Sequence, residues 1–428
     1  MGKKGIMRIC FASDQAFPAV GGEGISTQNF SLGMAKRGHT VIVLTSQSSG
    51  AIHRTGSGAF SYCVVRDAYC AIRDKSERYS RSGLFNAVKG KGIRIYRFFS
   101  LPLPGQKGSL AFPSSIKITS ILKKERINLV QINLPSYLGW QTLRGARKIG
   151  IPVVLGFHVQ VGNIIPFYFP FSLFKGILEA WFAYFYSKAD TAVVPSRFAS
   201  EILKKYTYKP IRIVSNGIDL KAFDVKKLTS KEIETFRKRY SLAGFSVLLY
   251  TGRLNYEKNI NYLLRIMQAL KERKGRVKLL IVGEGRLKER LKKRAARSGI
   301  KKEVNFTGFL KEKDLLCAYA CADIFILSSF YELQSIATLE AMAMRRAILI
   351  GRSKENAAQE LVKEGANGYT FTLQNPGEAV EKINRILSDE KLKKSMQEKS
   401  YQMIQAHEIE KSISKLEKIY ESLIKNSV

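Results

Sequence analysis

Two glutamates eight residues apart, Glu332 and Glu340, mark the stretch of this 428-residue chain best suited to chemistry. The first falls in a loop after an apolar run at 323–329, and the second inside a helix whose pattern starts near Ser335. A helix N-terminus offers free N–H groups and the positive end of a dipole, so phosphates bind there. A carboxylate in the preceding loop can accept from sugar hydroxyls, and one a turn or so into the helix can reach a ribose. Glu332 and Glu340 could thus hold the two ends of a nucleotide sugar. The plainer alternative is a solvated loop glutamate and a helix-face glutamate. Against it, Glu340 lies within Ala337-Thr338-Leu339-Glu340-Ala341-Met342, where an unpaired carboxylate is costly.

Other groups follow the same logic. Arg253 and Lys258, five apart in a strand-to-helix loop, can clamp a diphosphate, the guanidinium by two-point contact and the ammonium as a point charge. Gly283-Glu284-Gly285 follows a strand and would let backbone approach a ligand, or would serve only as a turn. Gly21-Gly22-Glu23-Gly24 allows the same two readings and lacks the spacing of a dinucleotide fingerprint. His158 ends a strand, where cleft residues gather, while His39, beside Gly38 at a helix end, is expected to cap carbonyls. There is no Asp-x-Asp pair, no phosphate-binding loop of the G-x-x-x-x-G-K type and no nucleophile elbow. Four histidines and five cysteines without paired spacing give neither a zinc pattern nor a disulfide framework, so no metal and no cofactor are expected.

These groups need a scaffold that brings loops together, and the apolar pattern supplies one. Strands are predicted at 7–12, 41–45, 128–132, 151–156, 191–194 and 211–214, with helical patterns between them. After a polar stretch near 221–240 the alternation restarts, with strands at 246–252, 278–283, 304–309, 323–329 and 347–351. Helices are predicted at 259–273, 285–298, 312–320 and 335–344, and the segment 376–426 reads as helical. The expected class is α/β, two Rossmann-like domains whose parallel sheets place a ligand cleft between their carboxyl edges. The expected boundaries are 1–222, 223–395, and a helical segment 396–428 packing back toward the first domain.

Lys and Arg number 71 against 35 Asp and Glu, a net charge of +36. Residues 1–222 hold 31 basic and 10 acidic side chains, so that half is basic chiefly through a lack of acids. Such a balance predicts a polyanionic partner: nucleic acid, an anionic bilayer or phosphorylated substrates. The segment 66–107 interleaves Arg and Lys with aromatic residues, which suits headgroups or nucleic acid, or else aromatics that pack inward. The aromatic run 164–186 is cut by Pro166, Pro170, Lys175 and Glu179, too interrupted to span a bilayer. With no apolar leader pattern after Met1, the expectation is a cytoplasmic protein, peripheral on the cytoplasmic face of a membrane.

Taken together these motifs resemble the retaining glycosyltransferases of family 4, which have the GT-B fold. The resemblance runs over nearly the whole chain. It includes the Gly21-Gly22 turn, Arg37-Gly38-His39, His158, Pro195-Ser196, Asn216-Gly217-Ile218-Asp219 and Gly252-Arg253 with Glu257-Lys258. It continues through Gly283-Glu284-Gly285, Phe306-Thr307-Gly308-Phe309 and the glutamate pair ending in Glu340-Ala341-Met342-Ala343. The resemblance implies that Arg253 and Lys258 bind the donor diphosphate, Glu332 touches the transferred sugar and Glu340 the ribose. It puts Phe309 and Leu310 near the base, the Gly21–Gly22 backbone by the phosphate, and His158 by the transferred sugar and acceptor. It also implies front-face transfer with retained configuration, without a metal.

Where many relatives have Gly-Phe-Gly after the first glutamate, this chain has Leu333-Gln334-Ser335. Glu-x-Gln is similar to the branch that makes glucosyl-diacylglycerols, although Leu333 stands where that branch commonly has Thr. The implied partners are a nucleotide-sugar donor, probed with UDP-glucose first, a lipid acceptor and an anionic membrane surface, with no nucleic acid. A GDP-mannose donor with a phosphoinositide or polysaccharide acceptor, a nucleotide-sugar epimerase, and a nucleic-acid-binding protein are the competing expectations.

Overall fold

The computed structural model describes residues 5–16, 21–47, 86–88, 93–102, 109–168, 173–273 and 275–426. The chain forms two compact units. One runs through Asn216 and takes up Ile409 onward; the other is Gly217–Glu408. The reading at 222 falls 6 residues after Asn216, and the reading at 395 falls 13 residues before Glu408. The helix Glu390–Ile404 packs on the helix Ile336–Ala343, which keeps it with the second unit.

In the first unit the strands are β1 (Arg8–Ala12), β2 (Thr40–Ser46), β3 (Asn86–Val88), β4 (Ile93–Phe98), β5 (Ser100–Pro102), β6 (Ser109–Ala111), β7 (Leu129–Ile132), β8 (Val153–Gly156), β9 (Thr191–Val194) and β10 (Ile211–Ile213). Eight form one sheet in the order β10-β9-β8-β7-β1-β2-β4-β3. All its pairings are parallel except β3 with β4. Strands β1, β2, β7 and β8 are buried along almost their whole length, as expected where helices cover both faces.

The segment read as an insertion is in part sheet. β4 lies beside β2 with Ile93, Ile95, Tyr96 and Phe98 buried, so those aromatics pack inward while Phe99 is exposed. Buried Glu125 takes the Tyr96 hydroxyl and Arg94, each at 2.5 Å. The pattern missed this strand because Arg94 and Arg97, three apart, fall on opposite faces and break the period-2 apolar alternation. Of the rest of 66–107, only 86–88 and 99–102 lie within the described residues. The aromatic stretch 169–172 lies outside them.

The second unit holds β11 (Ser246–Thr251), β12 (Val277–Val282), β13 (Val304–Gly308), β14 (Ile324–Leu327), β15 (Tyr331–Glu332), β16 (Ala347–Arg352), β17 (Glu355–Asn356) and β18 (Gly368–Thr372). Six make an all-parallel sheet, β13-β12-β11-β14-β16-β18. The doubly wound α/β reading therefore holds in both units. The edge strand β18 was not foreseen. The helix expected from 285 begins at Lys288, and 376–426 divides into Pro376–Ser388, Glu390–Ile404 and Ile409–Lys425.

The helix Ile409–Lys425 belongs to the core of the first unit. Ile413, Leu416 and Tyr420 pack with Phe11, Phe30 and Met34. Gly33 makes room for it, since a Cβ there would stand 2.2 Å from Ile413 Cδ1. The same seam buries a charge. Glu417, 3% exposed, receives Arg37 Nη1 at 2.6 Å and His39 Nε2 at 3.0 Å, while Arg37 Nη2 reaches Glu410 at 3.0 Å. The Met7 N–H donates to His39 Nδ1 at 3.2 Å. The His39 N–H donates to the Met34 carbonyl at 3.2 Å, the cap the sequence reading expected, while its ring ties the residue before β1 to the last helix. Replacing Glu417 by Ala leaves Arg37 with exposed Glu410 alone and His39 Nε2 without its carboxylate, and is expected to cost about 3 kcal/mol in urea denaturation. Glu410→Ala, at an exposed pair, is expected to cost under about 1 kcal/mol.

Candidate functional site

In a parallel sheet the loops at the carboxyl ends of the strands converge, and in the second unit most of the residues singled out above lie on those loops. Beyond β11, Gly252 has φ +151°, and beyond β12, Gly283 has φ +135°. Their backbones touch: a Cβ on Gly283 would lie 1.9 Å from the Gly252 carbonyl oxygen, and one on Gly285 2.5 Å from the backbone of Leu254. Glycine at 283 and 285 is therefore required by the packing of one loop on the next. Glu284, between them, pairs with Lys288 at 2.6 Å.

The turn that opens with Arg253 carries two ion pairs. Arg253, half-exposed, reaches buried Glu257 at 3.3 Å, and the other Glu257 oxygen is buried without a hydrogen-bond partner among the described residues. The Tyr250 hydroxyl donates to the Arg253 carbonyl at 2.9 Å and fixes that end of the turn. Lys258 Nζ meets Glu332 Oε1 at 2.6 Å, and both side chains are largely buried. The Phe330 N–H donates to the Glu257 carbonyl at 2.8 Å, so the loops after β11 and β14 are stitched by backbone as well as charge.

Glu332 is held extended because β15 pairs in parallel with β17. Asn356 braces that pair, donating to the carbonyls of Ser329 at 3.1 Å and Gly351 at 2.9 Å. Leu333 is buried and Gln334 half-buried. Ser335 then caps the helix Ile336–Ala343, its hydroxyl accepting from the Thr338 N–H at 3.2 Å. Glu340, one turn in, takes a hydrogen bond of 2.7 Å from the Tyr319 hydroxyl, which lies 2.7 Å from Thr251 Oγ1. Leu310 is buried and Phe309 43% exposed, after Gly308 at φ +74°. Sequence reasoning missed Tyr319 and Asn356, and it named Glu257 within the motif Gly252-Arg253 with Glu257-Lys258 without giving it a role.

The first unit has its own group at the carboxyl edge. His158 follows β8, and its pKa is pulled down to about 4 by burial, so the imidazole is neutral near pH 7. Gly156 leaves space for it: a Cβ there would lie 3.0 Å from His158 Nε2 and 2.6 Å from Asn133 Oδ1. Asn133 accepts from Gln131 Nε2 at 2.8 Å and donates to Thr27 Oγ1 at 2.6 Å, and Tyr420 donates to Gln131. The Gly21–Gly22 turn opens the helix Gly22–Lys36.

Next to that turn lie two carboxyls that the sequence reading left aside. Burial raises Glu23 to about 7 and Asp14 to about 6. Ser13 donates to Glu23, and Asp14 takes the Ser136 hydroxyl and the Ala111 N–H. Glu23 was visible within the glycine turn, but nothing local marked Asp14. Among the described residues no group of three or more His, Cys, Asp or Glu is gathered in metal-binding positions.

Burial also raises Glu340, from 4.5 to about 7, and the Tyr319 hydrogen bond partly offsets this. Between those values the folded chain keeps a proton that the unfolded chain has released, so stability falls as pH rises through that window. Glu340→Gln keeps an acceptor for Tyr319 and removes the titration. Its stability relative to the native chain is expected to rise by up to about 3 kcal/mol between pH 5 and 8 in urea denaturation. A difference that stays constant with pH would refute a carboxyl held neutral by burial.

Comparison with known proteins adds three kinds of likeness. The family described as Glycosyltransferase Family 4 matches residues 20–222, and that described as Glycosyl transferases group 1 matches residues 232–403. The chain is 24% identical over 341 residues to the alpha-monoglucosyldiacylglycerol synthase of Streptococcus pneumoniae, covering 79% of this chain and 69% of the relative. It is 27% identical over 252 residues to a GDP-mannose-dependent alpha-mannosyltransferase of Mycobacterium tuberculosis, covering 59% of this chain and 62% of the relative. Among solved structures, Anabaena HepE in complex with UDP-glucose superposes with a TM-score of 0.72 at 17% identity, over 97% of this chain and all of the other, a likeness of fold.

Proposed function

The chain belongs to the GT-B glycosyltransferases, a family 4 domain followed by a group 1 domain, and on that premise we propose that it transfers glucose from UDP-glucose, with retention, to a diacylglycerol-type lipid. The observation that carries this reading is the Lys258–Glu332 ion pair just ahead of the Ser335-capped helix that contains Glu340. A diphosphate at the helix N-terminus competes for Lys258 and releases Glu332 to the sugar hydroxyls. Arg253, already half-exposed, takes the second phosphate. Charge developing on the leaving diphosphate is then met by two cations and by fixed N–H dipoles that need little rearrangement. Glu340 accepts from the ribose, and Phe309 with Leu310 flanks the base. Gly283, Glu284, Leu333, Gln334 and Ser335 complete the donor-side loops. His158 and the Gly21–Gly22 turn are assigned to the sugar and acceptor side.

The lipid acceptor draws support from the glucolipid synthase relative and from the surface of the first unit. Phe112 and Tyr137 are exposed with rings 5.3 Å apart, and Leu101 and Ile116 are exposed on the same unit. On the helix Leu173–Ser187, Phe174, Ile177 and Tyr184 are exposed around Trp181. With Lys117 and Lys175 also exposed, this composition suits shallow insertion beneath anionic headgroups. No helix among the described residues is long and apolar enough to cross a membrane. With the glucolipid synthase relative as support, we propose a peripheral enzyme at the cytoplasmic face of a membrane. The mannosyltransferase relative keeps GDP-mannose, with another acceptor, as the second reading.

Incubation with radiolabelled UDP-glucose or GDP-mannose and total lipid extract, followed by lipid separation, decides between them. Label from UDP-glucose in a glycolipid is the expected result; label from GDP-mannose alone selects the second reading. Glu340→Ala is expected to weaken UDP binding about tenfold, the loss of one hydrogen bond worth about 1.4 kcal/mol. Glu332→Ala should lower turnover more than donor affinity, and Arg253→Ala should reduce turnover about a hundredfold or more. Small, equal effects from all three would remove these residues from the mechanism.

A further inference from the structure

Residues 286–302 of the second unit carry nine basic side chains and a single acid, Glu289. They comprise the helix Lys288–Arg297 and its flanks, and within the helix only Leu291 and Ala295 are buried. That one i, i+4 strip seats the helix on the unit and leaves the rest of its circumference to solvent. Lys292 engages Glu289 at 3.0 Å, and Lys288 engages Glu284 at 2.6 Å. Arg290, Lys293, Arg294, Arg297, Lys301 and Lys302 are exposed, and no ion pair takes any of them among the described residues.

This arrangement works against the helix itself. Arg290 and Arg294, and Lys293 and Arg297, are like charges at i, i+4, each pair destabilising by a few tenths of a kcal/mol. The fold gains nothing from them, since none packs or pairs, so their use lies outside the chain. What they would meet is narrowed by what is missing. Between Tyr256 and Phe309 no large apolar side chain is exposed among the described residues. The solvent face of the helix therefore has no wedge of its own to insert into acyl chains and no ring of its own on which a base could stack; the exposed Phe309 ring belongs to the neighbouring loop, after Gly308, where a Cβ would stand 3.3 Å from Lys288 Nζ. A dense array of cations without an apolar centre fits a flat field of negative charge.

We infer that the helix Lys288–Arg297 and its flanks lay the second unit on anionic lipid headgroups, as an electrostatic contact distinct from the aromatic surface of the first unit. The inference rests on the lipid-acceptor reading above. Its segment follows directly on Gly283-Glu284-Gly285, so the contact anchors the loop assigned to the donor. Each basic side chain near such a surface adds about 1 kcal/mol at low salt, and the attraction decays within a Debye length. The two contacts differ in kind: salt weakens the one on the second unit and leaves the aromatic one largely intact.

The test uses the full chain and the variant with Arg290→Gln, Lys293→Gln, Arg294→Gln and Arg297→Gln, sedimented with vesicles of phosphatidylcholine plus phosphatidylglycerol or of phosphatidylcholine alone. A second variant removes four exposed lysines elsewhere, Lys226→Gln, Lys231→Gln, Lys391→Gln and Lys394→Gln, to match the change in net charge. The first variant is expected to lose about tenfold or more of its partitioning onto the anionic vesicles at low salt, and most of its salt dependence, with an unchanged or higher melting temperature. The second is expected to lose under about threefold. Equal losses from both variants would reduce the effect to net charge and overturn the inference. So would vesicle binding that survives in the first variant while its binding to duplex DNA falls. Transfer from UDP-glucose to detergent-dispersed diacylglycerol, assayed on the same preparations, judges the functional reading separately. Transfer without the sedimentation difference sinks only the docking surface; the difference without transfer sinks only the function.

Discussion

Backbone packed on backbone at the carboxyl edge of the second sheet is the constraint on which the rest of that unit depends. The Gly252 N–H donates to the Val282 carbonyl at 3.0 Å, and the Gly283 N–H to the Gly308 carbonyl at 2.9 Å. Leu254 and Glu284 continue the stitching at 2.9 Å. Three successive strand ends are thereby locked side by side, at distances that only glycine permits for two of them. Such contacts leave no room for a side chain at Gly283 or Gly285, and Glu284 lies over Gly308, where a Cβ would stand 2.6 Å from its Oε1. Arg253, Glu284 and Phe309 stand where they do because the residues beside them have no Cβ.

Onto this rigid edge the chain places charges it must then keep out of bulk water. Lys258 and Glu332 neutralise each other, Glu257 holds Arg253 with one oxygen left over, and Glu340 depends on a single tyrosine hydroxyl. A buried ion pair rarely adds stability over an apolar pair of the same shape; on the proposed reading, this one is poised for a ligand that exchanges partners with it. The carboxyls of the first unit follow the same pattern. Asp14 and Glu23 are pushed up by burial and are retained by hydroxyls and a backbone N–H in place of cations. Desolvated acids gathered at strand ends are common at functional sites.

The last helix shows how a distant stretch of sequence completes a fold. Ile409–Lys425 supplies apolar side chains to the first unit's core, the carboxylate that engages Arg37 and His39, and the tyrosine that meets Gln131. Through Gln131, Asn133 and Thr27 that tyrosine joins a buried polar chain reaching the helix behind the Gly21–Gly22 turn. Each amide in the chain is both donor and acceptor, so its orientation is fixed by its neighbours.

The sequence by itself determined whatever is local. Alternating apolar runs and helical patterns announced two parallel sheets, and the glycines, the Arg253–Lys258 pair, Ser335 and the two glutamates marked loops at the carboxyl edge of the second sheet, because each signal lies within one turn or strand. The tertiary structure alone decided the partners: Lys258 with Glu332, 74 residues apart, Tyr319 with Glu340, 21 apart, and Tyr420 with Gln131, 289 apart. It also assigned β4 to the core, paired β15 with β17, and gave His39, a cap by its backbone, a side-chain link to Glu417. The physical reason is one of range. Periodicity and turn chemistry act over a few residues, whereas a hydrogen bond or ion pair forms only after the sheet has brought distant strand ends within 3 Å, a distance that no spacing along the chain encodes.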